Sequence, residues 1–486
     1  MKNKNRIITY CTAALLVSGV FSCSKIKDFG DTNVNPGGIT NPPLSALLTN
    51  VETGISGFAT QTRGGLYAQY FTETQYTDVC LYNTPQGDFD GTYSGSLMDL
   101  QKIITTSSNQ SEIAIARILK AYIYWNITDR WGDIPYSEAL NLVVPKYDKQ
   151  EAVYKDMIKE LTESVAQLNG SLVKGDIIYN GDNAKWKKLG NSLRMLMSLR
   201  LSKVYPNAGD YAAIQFAAAL SNSAGFIQDN ADNFAAAYPG GSFLNPWYSL
   251  FDGRKDYSES KTFTDLLTGL GDTRISVTGD NANGFPYGLP RAQALTVAEP
   301  WPLILKANQR TASSTVVIVS AAVSLFAKAE AIERGWISGA TTADAQTAYT
   351  NGVTQAFGQW GLSVPAAYLT GNASYTSGAG VAAIGQNTLG SIPASSNATT
   401  TTKIQRIQLQ RYIATYPDGT QGWCEWRRTG VPAIQPTTFA TNSSKQIPRR
   451  YTYGANEYSY NAAGVAQGVA SLTGGDTQDA RVWWDK

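Results

Sequence analysis

Histidine is absent from the 486 residues. That absence removes the imidazole base that activates serine and cysteine nucleophiles, and the commonest zinc ligand. Carboxylate chemistry remains, a glycosidase pair being its main hydrolytic form. Cysteine is scarce: Cys11, Cys23, Cys80 and Cys424 are the four. Charged side chains make up 16% of the chain against 43% hydrophobic ones, so a sizeable core can be buried and disorder is not expected. A formal net charge of +2 gives no reason to expect nucleic acid or a polyanion as partner. No run reaches the roughly 20 apolar residues that span a bilayer. The most apolar internal stretch, 315–331, carries Lys328 and Glu330.

What is present begins at the N-terminus. Lys2, Lys4 and Arg6 precede an apolar run from Ile7 to Phe21, and no acidic residue occurs before Asp28. This is a secretory signal pattern. Val20-Phe21-Ser22-Cys23 resembles a lipobox, in which a small residue precedes a cysteine that becomes the lipid-bearing first residue. Residues 1–22 are thus expected to leave as a signal peptide, and Cys23 to carry the lipid. With two or more acyl chains, such an anchor tethers a chain to a membrane without embedding it. Removing the signal leaves 37 basic against 38 acidic residues. Of the cysteines only Cys80 and Cys424 then remain. An exported setting permits a disulfide between them, but two separate buried thiols, which behave as small apolar residues, are the expected reading.

Residues 23–43, rich in Asp, Asn, Gly and Pro, read as a tether, and 44–486 as one domain. Helical stripes dominate it. Ile115, Ile118, Leu119, Tyr122 and Ile123 share one face, as do Tyr154, Met157, Ile158, Leu161, Val165 and Leu168. A helix capped at Asp182 or Asn183 runs through Trp186, Leu189 and Leu193 and stops before Pro206. Further helices are expected over 210–221, 315–335, 343–360 and 403–414. The fold class predicted is mainly α, with tetratricopeptide-like helix pairs over roughly 44–224 and 313–360. Two stretches, 225–312 and 361–402, lack the helical period and read as long loops with short strands; the second is the better candidate for mobility.

Several motifs follow in order: Trp131-Gly132-Asp133-Ile134-Pro135-Tyr136, Ala329-Glu330-Ala331-Ile332-Glu333-Arg334-Gly335-Trp336, Trp423-Cys424-Glu425-Trp426-Arg427-Arg428, Ile447-Pro448-Arg449-Arg450 and Arg481-Val482-Trp483-Trp484-Asp485-Lys486. With Cys23 and the Asp31–Pro36 stretch, this order resembles the SusD/RagB family of outer-membrane nutrient-binding lipoproteins from end to end. The resemblance implies a SusD-like helical scaffold packed against a loop-rich ligand-binding region. It implies a lipoprotein on the outer face of the outer membrane, partnered with a SusC-like TonB-dependent transporter. It implies binding of a glycan or a peptide, with no catalysis. Ligand residues vary within the family, so none carries over by motif.

Each motif also has a structural reading. Trp131–Tyr136 reads as a corner closing a helix. The paired arginines and Trp483-Trp484 read first as ties within the fold. Asp88 and Asp90, in a Gly-bounded loop, are turn formers as readily as an acid pair. Asp280, Asn281 and Asn283 could offer oxygens to Ca²⁺ but match no EF-hand, and no residue set points to a resident metal or cofactor. The loop aromatics are the better ligand candidates, since flat rings cover the apolar faces of sugars while amides and charged groups meet their rims. Tyr82, Phe89, Trp247, Tyr287 and Trp301 are therefore expected to form a solvent-facing platform, with Asn83, Gln86 and Asn245 beside it. Two other classes compete: a surface glycoside hydrolase using carboxylates such as Asp88, and a non-binding scaffold of the transporter.

Overall fold

The computed structural model describes residues 42–141, 144–370 and 403–486. The signal segment, the tether, Cys23 and most of the second loop stretch lie outside the described residues. Among these residues the long helices come first in pairs. Numbering those of eight residues or more, α1 is Leu44–Gly54, α2 Met98–Thr106, α3 Gln110–Trp131, α4 Gln150–Gln167, α5 Asn183–Arg200 and α6 Tyr211–Leu220. Then come α7 Lys261–Leu270, α8 Ala321–Glu333, α9 Thr342–Gly358, α10 Lys403–Thr415, α11 Gly419–Thr429 and α12 Ala462–Val469. Consecutive helices pack as hairpins, α3 on α4, α5 on α6 and α8 on α9, and the pairs join through α4 on α5 and α8 on α5. That succession is the tetratricopeptide-like scaffold expected.

Local signals explain most boundaries. Asn109 caps α3 by accepting from the Ser111 and Glu112 amides, and Asp182 does the same for α5 through Ala184 and Lys185. Thr341 and Asp344 form a reciprocal capping box on α9. Helix α4 buries Val153, Tyr154, Met157, Ile158, Leu161 and Val165 along one face, as its stripe requires. Helix α3 is buried nearly all round, with Ile115, Leu119, Tyr122, Trp125 and Ile127 in the main core. Gly132, at φ 96°, ends it in a conformation that costs a side-chain-bearing residue strain.

Two expectations are corrected. The stretch 315–335 is not one helix: Val316–Val319 is a strand, antiparallel to Phe234–Ala236, and the helix starts at Ala321 behind a Ser320 cap. Four β-branched residues in a row favour extended backbone. The stretch 225–312 is not loop throughout, because α7 lies in it, capped by Ser260 and closed by Gly271 in the left-handed region.

The strands are short and paired two by two. Label them β1 Phe71–Glu73, β2 Gln86–Gly87, β3 Ile134–Pro135, β4 Tyr147–Asp148, β5 Phe234–Ala236, β6 Tyr257–Glu259, β7 Val316–Val319 and β8 Thr452–Tyr453. β1 pairs antiparallel with β6, matching Phe71 to Glu259 and Glu73 to Tyr257. This ribbon clamps the loop after the first helices to the middle of the chain. A second long-range contact is closer still. The turn of helix at Thr62–Tyr67 lies against the start of α11, where a Cβ on Gly419 would stand 2.1 Å from the Gly65 amide nitrogen. Hydrogen side chains on Gly64 and Gly419 allow that approach, while a Cβ on Gly65 would instead strike the Phe71 ring.

Candidate functional site

The family motifs turn out to be ties. Trp131 donates from its indole to the carbonyls of Gly87 and Thr452, and Asp133 accepts the Gln150 amide that opens α4. Arg428 grips Glu330 through two hydrogen bonds of 2.8 and 2.6 Å, both residues wholly buried. Arg427 donates to the backbone carbonyls of Arg449 and Asp129 and lies over the rings of Trp423 and Trp484. Arg449 pairs with Asp485, Arg450 with Asp476. Trp484 is fully buried, its indole donating to Asp129 at 2.8 Å. Cys80 and Cys424 are free, buried thiols. Asp280 spends its oxygens on Arg310 and on the Leu303 and Ala307 amides, and Asn281 accepts the Asn283 amide.

The aromatic platform expected from the sequence is not what the fold presents. Four of its five rings are core. Tyr82 packs on Tyr67 and meets Tyr287 hydroxyl to hydroxyl at 3.5 Å. Phe89 sits on the edge of Trp131, and Trp247 packs edge-on against Phe71. All four have at most 4% of their surface exposed. Their loops are lined on the inner side by rings from segments distant in sequence, so burial follows from long-range packing. Asn245 is also consumed, as the cap of the helix carrying Trp247. Asn83 and Gln86 are exposed. Trp301, the fifth ring, is half-buried.

Trp301 belongs to a small satellite cluster with Phe285, Leu289, Ala294, Val297 and Phe439, apart from the main core. Phe285 meets its edge at 5.4 Å, and Lys255 Nζ stands 5.9 Å from its ring centre. Thr74 binds the Lys255 carbonyl through its hydroxyl at 2.5 Å and the Asp256 carbonyl through its amide at 2.9 Å. The chain then turns out to Tyr76, which is 52% exposed. Arg291 lies over the Tyr76 ring at 5.3 Å and begins the short helix Arg291–Ala294 whose Ala294 belongs to the satellite cluster. Thr72 and Gly288 join by hydrogen bond below, and Thr437 donates to the Gly288 carbonyl. The loops 74–85, 285–301 and 433–442 thus make one face, with Tyr76 and Trp301 as its rings and Arg291, Lys255, Glu299 and Asp78 as exposed polar groups. Tyr76 was not among the sequence candidates. Its neighbours Gln75 and Asp78 are polar and exposed, and that polar context was the available signal.

Beneath the face lie two buried carboxyls on the β1–β6 ribbon. Burial pushes Glu73 up to about 7, although its carboxylate accepts the Cys80 amide at 2.9 Å. Burial pushes Glu259 up to about 8. Their burial at 5% and 0% exposure keeps both from the solvent side. Asp88 and Asp90 lie elsewhere, against Gly454 and Asn456.

A helix-pair scaffold holds a loop face that bears one exposed ring, one half-buried ring and charged groups, an arrangement suited to binding a ligand. Residues 36–454 match the model of a SusD-like family described as starch-binding and associating with the outer membrane, and the chain belongs to that family. Its role is nutrient binding of the SusD type, in a family associated with the outer membrane. A SusD homologue from Bacteroides thetaiotaomicron superposes with a TM-score of 0.76 at 26% identity, over 92% of this chain and 99% of the other. One from Bacteroides uniformis gives 0.76 at 25%, over 91% and 99%. A chitin-binding SusD homologue from Flavobacterium johnsoniae shares the fold at 0.75 and 24% identity, over 91% and 97%. No curated protein matches the chain.

Proposed function

We propose that this chain is a surface lipoprotein, anchored through Cys23, that captures a glycan on the face carrying Tyr76 and Trp301. It then delivers the glycan to a SusC-like TonB-dependent transporter. The observation that carries the reading is the way β1–β6 and the Thr72–Gly288 contact bring two loops far apart in sequence onto one face. Two partly exposed rings flanked by Arg291 and Lys255 offer apolar cover and polar rim together, the pairing that sugar recognition needs. That the matching family is starch-binding supports a glycan, and the chitin-binding neighbour widens the range of candidates.

The test is calorimetry of the protein against starch, chitin and other oligosaccharides and against peptide digests, repeated with Tyr76→Ala and Trp301→Ala. Each ring is expected to contribute about 1–3 kcal/mol, a loss of roughly five- to 150-fold. Saturable glycan binding that neither substitution weakens would remove this face as the site. Binding of peptides alone would reassign the ligand. No binding at all would favour the transporter-scaffold reading.

A further inference from the structure

The two neighbouring tryptophans near the end of the chain meet different fates. Trp484 is fully buried, and its indole is spent on Asp129. Trp483 is half-buried and lines an open cleft of ≈ 700 Å³. It rests on Tyr154 and Tyr205, with ring centres 6.4 and 6.0 Å away. Tyr205 meets Tyr211 in turn at 5.8 Å. Trp483, Tyr205 and Tyr211 are all half-buried, so they form a strip of three rings in succession at the surface. Polar groups edge the strip. The Tyr205 hydroxyl donates to Glu151 at 2.7 Å, and Lys155, paired with Glu151, stands 5.8 and 5.6 Å from the centres of the two tyrosine rings.

The cleft carries the strip onward from Trp483. One side comes from the start of α4 and the other from the tail after α12. Its volume lies within the roughly 300–1,000 Å³ of small-ligand sites. The lining says what kind of ligand fits. Lys149, Arg481 and Lys486 stand against Asp133, Glu151 and Asp479, so the charges balance and a strongly charged ligand is not favoured. Ser471 and Thr473 add hydroxyls, so a purely apolar one is not favoured either. Flat rings edged by donors and acceptors of both signs suit a neutral polyhydroxylated molecule. Three rings in succession suit one that repeats along its length, as the sugar rings of a glycan do. A smaller cavity of ≈ 310 Å³ shares Asp479 and Arg481 with the cleft and reaches Gln435 and Pro436. Those two residues belong to the loop 433–442 that also builds the Tyr76–Trp301 face.

We propose that the cleft and the Trp483–Tyr205–Tyr211 strip form a second glycan-binding site, which takes a neutral oligosaccharide on the Trp483 ring with Arg481 and Asp479 at its hydroxyls. The inference rests on the reading of the chain as a glycan binder, but it uses none of the rings of the Tyr76–Trp301 face.

The test titrates the full chain by calorimetry with maltoheptaose, chitohexaose, cellohexaose, mannohexaose and a peptide digest. The same titrations are run on Trp483→Ala, on Arg481→Ala and on the double variant Tyr76→Ala/Trp301→Ala. Arg481 is exposed, so its variant keeps the fold should Trp483→Ala disturb the packing on Tyr154. At least one sugar is expected to bind the double variant saturably. Adding Trp483→Ala or Arg481→Ala to that variant should weaken the remaining binding roughly five-fold or more. Crystals soaked in the same sugar should show it against the Trp483 ring. Binding that the double variant abolishes, and that Trp483→Ala and Arg481→Ala leave unchanged, overturns the second site and leaves the first standing. Binding lost in Trp483→Ala and Arg481→Ala but unmoved in the double variant keeps the cleft and removes the Tyr76–Trp301 face. Sugar found in the crystals only at Tyr76 and Trp301, or a cleft that takes peptide and no sugar, overturns the proposal. No sugar bound by any form overturns both sites.

Discussion

Arg428 holds Glu330 through paired hydrogen bonds in a region where neither side chain touches solvent. The pair links α11 to α8, helices whose sequences are 98 residues apart at this contact. Glu425, one turn earlier on α11, shares the same guanidinium. Arg428→Ala would leave two carboxylates buried with a partner removed. The expected loss is about 3–5 kcal/mol, read from urea unfolding. A loss below about 1 kcal/mol would mean the network is not structurally decisive.

Trp247→Ala and Tyr76→Ala separate core from face. Trp247 is buried beside Phe71, and its removal should cost about 3–5 kcal/mol. Tyr76 is mostly in solvent, and its removal should leave stability within about 0.5 kcal/mol while weakening ligand. Thermal unfolding of the two variants, paired with glycan titration, checks both halves. A stability loss in Tyr76→Ala equal to that of Trp247→Ala would contradict the placement of the loop 74–85.

Stability should fall as the solution becomes alkaline. A carboxyl that holds its proton more tightly in the fold than in the unfolded chain contributes most below its unfolded value. That contribution is lost as pH rises through the folded value. Glu259 at about 8, and Glu73 and Asp418 at about 7, all act in this direction. Tm should therefore decline from about pH 5 to about pH 8.5, and Glu259→Gln should flatten the alkaline part of that slope. Glu330 and Glu425, held below the usual range despite burial by Arg428 and Arg411, act oppositely. Their contribution disappears as acid protonates them, so the profile should also drop below about pH 4. An unchanged slope in Glu259→Gln would rule out that residue as a source.

Reducing agent should leave Tm unaltered, because Cys80 and Cys424 are separate thiols. Burial pushes both up, Cys424 to about 11, so neither should react with a thiol reagent until the chain is unfolded. Rapid labelling of the native protein at Cys80 or Cys424 would contradict their burial.

The sequence made the scaffold legible where a helix shows one face to the core, as Tyr154, Met157, Ile158 and Leu161 do on α4. The cap at Asp182 marked its helix end well for the same reason: its hydrogen bonds are local. The stretch 315–335 misled because Val316–Val319 and the helix after it are both apolar; the β-branched run, its pairing with β5 and the Ser320 cap divide them. The loop aromatics misled more deeply. Whether a ring in a loop is core or face depends on what arrives from elsewhere. Tyr82 is covered by Tyr287, 205 residues later, and no local pattern encodes that. Tyr76 and Tyr82 lie six residues apart in one loop and meet opposite fates. Trp301 was singled out only for its place in a loop, and its half-burial reflects support on one side by Phe285.

The approach of Gly65 to Gly419 carries a consequence for the order in which the molecule can assemble. Replacing Gly419 by alanine would set a methyl against backbone rather than against a movable side chain. A loss of about 1–3 kcal/mol is expected, measurable by urea unfolding. The contact also spans most of the chain, as does the neighbouring hydrogen bond from Tyr412 to Ala68, 344 residues earlier. A loop that long closes late and slowly. The first helical turns are therefore synthesised long before the surface that covers Leu66, Tyr67 and Tyr70 exists. Until α11 arrives, they stand as exposed apolar surface needing protection from other chains, and the glycines are where that waiting period ends.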